Sequence, residues 1–444
     1  MSSILQNFEA KKKSKICFPS EHLLIYIPGF ENPRTKQWGE GDNLEDSNAL
    51  RKVDLSIEFC GLEFQNPFLL ASGPATARSE MIERAFDAGW GGAVTKLLGL
   101  KTRPSPHPYI AALTFEGKAI GLGNIDSIVY PLDDWLQKIE NLKKRYPNKI
   151  LIANLTGDAD TSSWQEMTKK VQDVGVDMLE LNLSCPLTGE ERTIGALVGQ
   201  DPKLTFKVVK WVKEVANVPV MVKLTPNVTD ITSIAKAAEK GGADALSAIN
   251  TILGFVGIDL ETMEPKPSVN GTSAFGGYSG PAIKPIALRC VAQAAKSTKL
   301  PISGVGGIST WKDAVEFFLA GASTVQLCTA VMFKGYRIID RLKGGVSDYI
   351  RDKGFNSVKD IVGRVLPKLT SIEKLDFTYQ VIPQVDRFKC IKCELCRLAC
   401  RDAGYEAIEL DEEKLPIVSR EKCGSCGLCA QVCPAGAIFL KQRR

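Results

Sequence analysis

Met178-Leu179-Glu180-Leu181-Asn182-Leu183-Ser184-Cys185-Pro186 begins as an alternating apolar strand and ends in an amide, a hydroxyl and a thiol. Pro186 removes a backbone donor and stops the strand. In a parallel barrel, the last residues of such a strand stand at the face where chemistry is done. The loop that follows, Leu187 to Gly195, can then close over a ligand. A thiol in that place is a candidate acid or nucleophile. Packing alone also accounts for it, since free cysteine is among the most buried residue types.

Working outward, short apolar strands alternate with amphipathic helical stretches from Asp54 onward, the pattern of βα units on a parallel sheet. Eight strands are expected: Phe68–Gly73, Gly92–Leu98, Ile150–Thr156, Met178–Ser184, Val218–Thr225, Ala243–Asn250, Ile302–Gly306 and Thr324–Ala330. Helical stretches include Glu80–Ala88, Trp164–Asp173, Leu204–Val215, Ile231–Lys240, Ala282–Ala295, Trp311–Ala320 and Arg337–Lys353. This is the layout of a (β/α)8 barrel. A doubly wound open sheet fits less well, because no Gly-x-Gly-x-x-Gly opens a helix after the first strand.

The strand ends carry the functional signal. They read Ala71-Ser72-Gly73, Thr95-Lys96, Asn154, Asn182 with Ser184 and Cys185, Lys223 to Thr225, Asn250-Thr251, Gly304 to Gly307, and Cys328-Thr329. Polar groups and glycines at the same end of successive strands converge on one mouth. Gly306-Gly307 and Cys328-Thr329 bring bare amides to the usual phosphate position of a barrel. Gly276-Gly277-Tyr278-Ser279-Gly280 reads as a further flexible cradle. Lys96 and Lys223 end strands buried on both faces, where lysine is rarely left unpaired. A ligand anion is therefore expected beside them, with a structural salt bridge as the plainer alternative. Flavin mononucleotide supplies such an anion when its ring is reduced.

A net charge of +5 over 444 residues, without a dense Lys/Arg stripe, gives no footprint for nucleic acid. Lys11-Lys12-Lys13 reads as a solvated patch. No apolar run reaches the ~18 residues of a membrane span, and no signal core opens the chain. A cytoplasmic protein is expected. Four regions follow: an arm over 1–52, a barrel over 53–340, a helical linker over 341–385, and a small α+β, ferredoxin-like domain over 386–444.

That last region holds eight of the 13 cysteines. Cys390-x2-Cys393-x2-Cys396-x3-Cys400 is followed by Cys423-x2-Cys426-x2-Cys429-x3-Cys433-Pro434. This is the bacterial ferredoxin spacing twice over, in which the fourth cysteine of each run ligates the other cluster. One [4Fe–4S] cluster is therefore expected on Cys390, Cys393, Cys396 and Cys433, and a second on Cys423, Cys426, Cys429 and Cys400. Zinc sites lack the third equally spaced cysteine. The chain holds only two histidines, His22 and His107, which leaves little room for histidine-based catalysis. Clusters move single electrons, whereas a flavin accepts one or two. With no dinucleotide fingerprint present, the reductant is expected from a partner subunit carrying NAD(P)H and FAD.

From about Leu55 onward the chain resembles the FMN/iron–sulfur subunits of bacterial NAD-dependent dihydropyrimidine dehydrogenases. The resemblance rests on Phe64 to Phe68, Ala71 to Thr76, Thr95-Lys96, Asn182 to Pro186, Lys223 to Asp230, and Gly276 to Gly280. It implies reduction of the C5=C6 bond of uracil or thymine, with hydride from FMN to C6 and a proton from Cys185 to C5. A thiol of ordinary pKa near 8.5 is protonated at neutral pH yet can give its proton to a developing enolate. Asn124, Asn182, Asn250 and Thr251 match the positions that hold the pyrimidine edge, with Asp126 and Ser184 beside them. Ala71, Ser72, Gly73, Lys96, Asn154, Lys223, Ser279, Gly280, Gly306, Gly307, Cys328 and Thr329 fall to the flavin, which Asn124 and Asn182 contact as well. The assembly expected is a homodimer or a hetero-tetramer. Leu187 stands where the family has His, Asp126 where it has Glu, and Arg401 where it has Pro. The first two departures leave open a related cyclic enamide or enone. A dihydroorotate dehydrogenase-like enzyme is the first alternative, and an electron-transfer subunit of a larger complex the second. A flavin tRNA dihydrouridine synthase would need a basic surface that the chain lacks.

Overall fold

The computed structural model describes residues 53–157, 160–183 and 198–443. The expected arm over 1–52 lies outside the described residues, as do Ser184, Cys185 and the Leu187–Gly195 loop. Eight parallel strands close into a barrel: β1 (Phe68–Leu70), β2 (Gly92–Val94), β3 (Ile150–Leu155), β4 (Met178–Asn182), β5 (Val220–Leu224), β6 (Ala245–Ala248), β7 (Ile302–Val305) and β8 (Ala322–Leu327). The order is sequential and β8 returns to β1, so no barrel edge is left to pair elsewhere. Each strand lies within one of the eight expected stretches or overlaps it. β4 is buried at every position, as a strand with helices outside and side chains inside must be.

Helices follow the strands: α1 (Ser79–Ala88), α2 (Asp133–Arg145), α3 (Thr161–Asp173), α4 (Pro202–Lys213), α5 (Ile231–Gly241), α6 (Lys284–Ser297), α7 (Trp311–Leu319), α8 (Thr329–Lys334) and α9 (Ile338–Asp352). Their inner faces follow the helical period. In α3 the buried side chains are Trp164, Met167, Thr168 and Val171, and in α4 Thr205, Val208, Val209 and Val212. Asp160, Asp201 and Asp230 start α3, α4 and α5 by accepting from the first free amides. All of α9 packs on the barrel, with Ile338, Ile339, Leu342, Val346 and Ile350 in its core. After it, the segment expected as a helical linker runs in short 3-10 turns at Val358–Ile361, Leu366–Lys368 and Ile372–Lys374.

One layer departs from the expected plan. Ile110–Phe115, Lys118–Asn124, Gly276–Ser279 and Ile252–Gly254 form an antiparallel sheet of four strands, pairing Asn124 with Gly277 and Leu253 with Gly277. The Gly276-Gly277 cradle is thus a strand and not a loop. Its glycines are there because backbones crowd: a Cβ at Gly276 would lie 2.4 Å from the Asn124 carbonyl, and one at Gly277 2.3 Å from Thr251 Oγ1. Only Gly280 closes the segment with a left-handed φ of 104°.

The cysteine-rich tail is built from a pairing of Val381–Val385 with Ile438–Gln442, a second of Ile408–Leu410 with Pro416–Val418, and two short helices at Leu395–Asp402 and Leu428–Gln431. Its apolar centre is small: Cys396, Ile408, Cys429 and Ile438. Among the described residues no helix is long and apolar enough to cross a membrane.

Candidate active site and cysteine cages

The C-terminal ends of the barrel strands and the four-stranded sheet enclose a cleft of about 1250 Å³, part of it open to solvent. Parity explains how the side chains reach it. Successive residues of a strand face opposite sides, so Glu180 and Asn182 of β4 share the barrel interior. The register sets Glu180 beside Asn154 of β3, and Asn182 beside Lys223 of β5. Ala71, Ser72, Gly73, Lys96, Asn124, Asp126, Asn182, Lys223, Asn250, Thr251, Ser279, Gly280, Gly306, Gly307, Cys328 and Thr329 all line this cleft. Of the expected positions, Asn154 stands behind the wall, fully buried and donating to Glu180 at 2.6 Å.

Both lysines meet carboxylates of the chain itself. Lys96 Nζ lies 2.8 Å from Asp126 Oδ2, and Lys223 Nζ 3.3 Å from Glu180 Oε1. The structural salt bridge, the plainer alternative, therefore holds for both lysines in the folded chain. The reason is that burial demands a partner in the folded chain even before a ligand arrives. Burial alone would push the Asp126 carboxyl up, but the Lys96 ammonium and the Ile128 amide outweigh it and hold the group below its ordinary range. Asn124 in turn accepts from the Asp126 amide at 2.7 Å. Burial also pushes the Cys328 thiol up, against the pull of Lys96 and Lys223, so this sulfur stays protonated at neutral pH.

The sequence reading passed over Glu180, although its place in a strand buried on both faces was a signal. It is fully buried and accepts four hydrogen bonds. Oε1 takes them from Asn154 and Lys223, and Oε2 from Ser247 Oγ at 2.7 Å and Gln326 Nε2 at 3.2 Å. Gln326 is 1% exposed and lines the cleft, yet its Oε1 has no hydrogen-bond partner among the described residues. A buried acceptor of this kind calls for a donor from whatever fills the cleft. Where β7 and β8 end, the cleft wall offers little but backbone. Gly306 and Gly307 take φ of 128° and 80°, and a Cβ on Gly307 would meet Lys284 N at 2.8 Å. Ser279 Oγ and Thr329 Oγ1 lie 2.9 Å apart beside it. An orphaned acceptor and a cation near β5 and β8, with glycine amides and hydroxyls farther along, fit a ring-and-phosphate ligand such as a flavin mononucleotide.

The tail holds two further cavities of similar size, about 370 Å³ and 390 Å³. Cys390, Cys393, Cys396 and Cys433 line the first; Cys423, Cys426, Cys429 and Cys400 line the second. Among the described residues no three His, Cys, Asp or Glu side chains converge on a single-ion site. Each quartet therefore surrounds a space rather than a point. The loops repeat their backbone as well as their spacing: Lys392 and Ser425 take φ of 58° and 59°, Glu394 and Gly427 61° and 79°. Left-handed residues at these places turn successive amides toward an enclosed anion. Ala407 N donates to Cys400 Sγ at 3.4 Å and Ala437 N to Cys433 Sγ at 3.2 Å, bonds that favour thiolate sulfur.

Comparison with known proteins adds the following. A family described as dihydroorotate dehydrogenase matches residues 54–350, and one described as 4Fe-4S dicluster domain matches 383–440. The chain is similar to the NAD-dependent dihydropyrimidine dehydrogenase subunit PreA of Escherichia coli (strain K12), at 42% identity over 393 residues, or 87% of this chain and 95% of that one. It is also similar to the catalytic subunit of dihydroorotate dehydrogenase B (NAD(+)) of Pyrococcus horikoshii, at 40% identity over 314 residues, or 70% of this chain and 98% of that one. A crystal structure of DHODH from Eimeria tenella in complex with ferulenol shares the fold with a TM-score of 0.59, at 23% identity over 70% of this chain and 88% of that one.

Proposed function

We propose that this chain, which belongs to the dihydroorotate dehydrogenase family and ends in a 4Fe-4S dicluster domain, reduces the C5=C6 bond of uracil or thymine with electrons from an NAD(P)H-oxidising partner. The observation that carries the reading is a cleft walled by Asn124, Asn182, Asn250 and Thr251, in a chain that also holds two cages of four cysteines. Bound FMN would supply hydride to C6 of the pyrimidine. Lys96, Lys223, the backbone of Ala71, Ser72 and Gly73, and the Gln326 acceptor would hold its ring. Gly280, Gly306, Gly307, Ser279, Cys328 and Thr329 would hold its phosphate.

The chain's own residues do the rest. Asparagine suits the pyrimidine because it offers both a donor and an acceptor to alternating N–H and C=O groups. Asn250 Nδ2 already donates to Asn182 Oδ1 at 3.1 Å, which fixes the orientation of both amides. Asp126 keeps the Lys96 ammonium aimed across the same wall. Cys185, three residues past Asn182, is assigned the proton for C5 and Ser184 a role in binding the substrate; both lie outside the described residues. The two cysteine quartets would each hold a [4Fe–4S] cluster and pass electrons singly from a partner carrying NAD(P)H and FAD. None of the described cysteines forms a disulfide, as a reducing compartment requires, and we place the reaction in the cytoplasm.

Dihydroorotate oxidation is the second reading, favoured by the family match to the barrel. The extent of similarity favours the first. The Pyrococcus subunit is covered over 98% of its length by 70% of this chain, leaving the rest without a counterpart, whereas the Escherichia coli subunit accounts for 87%. The test is anaerobic. The whole chain, loaded with FMN and iron, is reduced with dithionite and mixed in turn with uracil, thymine, orotate and other cyclic enamides while flavin absorbance is followed. Reoxidation by uracil or thymine supports the proposal. Reoxidation by orotate alone moves the chain to the second reading, and reoxidation by none of them reduces it to an electron carrier.

A further inference from the structure

Glu180 lies behind the cleft and does not line it, yet every hydrogen bond it accepts reaches a different strand. Asn154 comes from β3, Lys223 from β5, Ser247 from β6 and Gln326 from β8. Two consequences follow from its being acceptor-only. Gln326 must turn its NH2 inward to the carboxylate, which leaves Oε1 buried and without a partner among the described residues, in a side chain of the cleft wall. Asn154 likewise spends its Nδ2 on Glu180, so its Oδ1 faces Asn182, whose Nδ2 approaches at 3.5 Å. Asn250 Nδ2 then donates to Asn182 Oδ1. The amides from Asn250 through Asn182 to Asn154 thus point their donors one way, toward one buried negative charge. The same charge offsets the Lys223 ammonium.

We propose that Glu180 is a positioning residue that fixes the hydrogen-bond polarity and the net charge of the cleft wall, and through them the redox poise of the flavin held there. The inference rests on the flavin reading of the cleft and deepens it. A reduced isoalloxazine carries negative charge. A fixed carboxylate beside Lys223 partly cancels the attraction that a lone ammonium would exert on that charge. Glu180 thereby keeps the flavin a stronger reductant than Lys223 alone would allow. A glutamine at 180 removes the charge. It also lets the Gln326 amide turn over and present a donor in place of an acceptor.

The experiment measures the FMN midpoint potential of the whole FMN-loaded chain by anaerobic dye titration, together with the dissociation constants of oxidised and reduced FMN. In Glu180→Gln, reduced FMN should bind about tenfold more tightly relative to oxidised FMN than in wild type, a rise of about 30 mV for a two-electron couple. Ser247→Ala removes one donor from the carboxylate without touching its charge, so the potential should fall. Opposite signs from two buried substitutions are not what a merely structural role produces. FMN-loaded variants with wild-type potentials overturn the inference alone. Should Glu180→Gln fail to fold, an unchanged or raised potential in Ser247→Ala overturns it. A wild-type chain that takes up no FMN overturns the flavin reading and this inference with it.

Discussion

Gly73 ends the β1 turn against the eighth strand, and its substitution by alanine isolates one contact. A Cβ at Gly73 would lie 2.4 Å from Cys328 Sγ and 3.6 Å from Cys328 Cβ. The backbone at Gly73 is extended, at φ 171°, so an L side chain meets no conformational penalty there. The cost is contact alone, and overpacking of this kind runs to about 1–3 kcal/mol. The sulfur cannot simply swing away, because it already rests 3.8 Å from Met332 Sδ. Cys328→Ala removes the sulfur and leaves a separation of ordinary van der Waals contact. Alone, that change should cost about 1 kcal/mol for the lost apolar burial. The double variant should then fall back to the level of Cys328→Ala, a favourable coupling of about 1–3 kcal/mol. Urea unfolding reports this through tryptophan fluorescence, since the buried Trp90, Trp135 and Trp164 all lie in the barrel. FMN affinity, measured in parallel, should fall with Gly73→Ala and return in the double variant to the level of Cys328→Ala. Losses that add to within about 0.5 kcal/mol refute the argument, because no shared clash then exists.

Asp126→Asn should lower barrel stability at neutral pH by about 1.5–3 kcal/mol, the range for a hydrogen bond to a charged group. Because Lys96 depresses the folded-state pKa of Asp126, that contribution is complete above the ordinary carboxylate value near 3.9. It fades as pH falls through the depressed value, so the wild-type and variant stability curves should converge in acid. Parallel curves down to the acid limit count against the ion pair. Cys433→Ser should disturb the cluster of the first cysteine run and spare that of the second, seen as loss of one of two electron paramagnetic resonance signals in the reduced chain. Damage confined to the second run would show that the quartets are not exchanged. Cys185→Ala should keep flavin and cluster absorbance while turnover falls by about a hundredfold or more, the usual weight of a general acid. A rate within a few-fold of wild type removes that thiol from the chemistry.

How far the sequence could be read depends on whether the governing pattern is local. The eight strands were legible because alternation and buried runs are properties of adjacent residues, and the tail because ligand spacing is written along the chain. The mouth sheet was not. Gly276 and Gly277 look like a loop in sequence, and only the nearness of Asn124 and Thr251, from distant segments, explains why glycines stand in a strand. Glu180 was visible as a charge inside an apolar strand, but its meaning needed the donors of four other strands. The lysines stayed open between a ligand anion and a salt bridge for the same reason: their counter-ions, Asp126 and Glu180, are 30 and 43 residues away. The crossed cysteine quartets could be anticipated without coordinates because the duplicated run already specifies them.

The small centre of the tail has a consequence for how the protein is made. Two of the four residues at that centre, Cys396 and Cys429, are also members of the cysteine cages, and beside Ile408 and Ile438 the tail's other buried aliphatic side chains are Ile382, Ala407, Leu415 and Ala437. So little hydrocarbon cannot offset the chain entropy of some sixty residues. Inorganic sulfide and iron then act as the nucleus on which this segment condenses, while the barrel sets around its own aliphatic interior. Under metal scarcity the two halves part company: a finished barrel would trail an unfolded, protease-sensitive end, and supply of the mineral would meter how many copies ever reach working form.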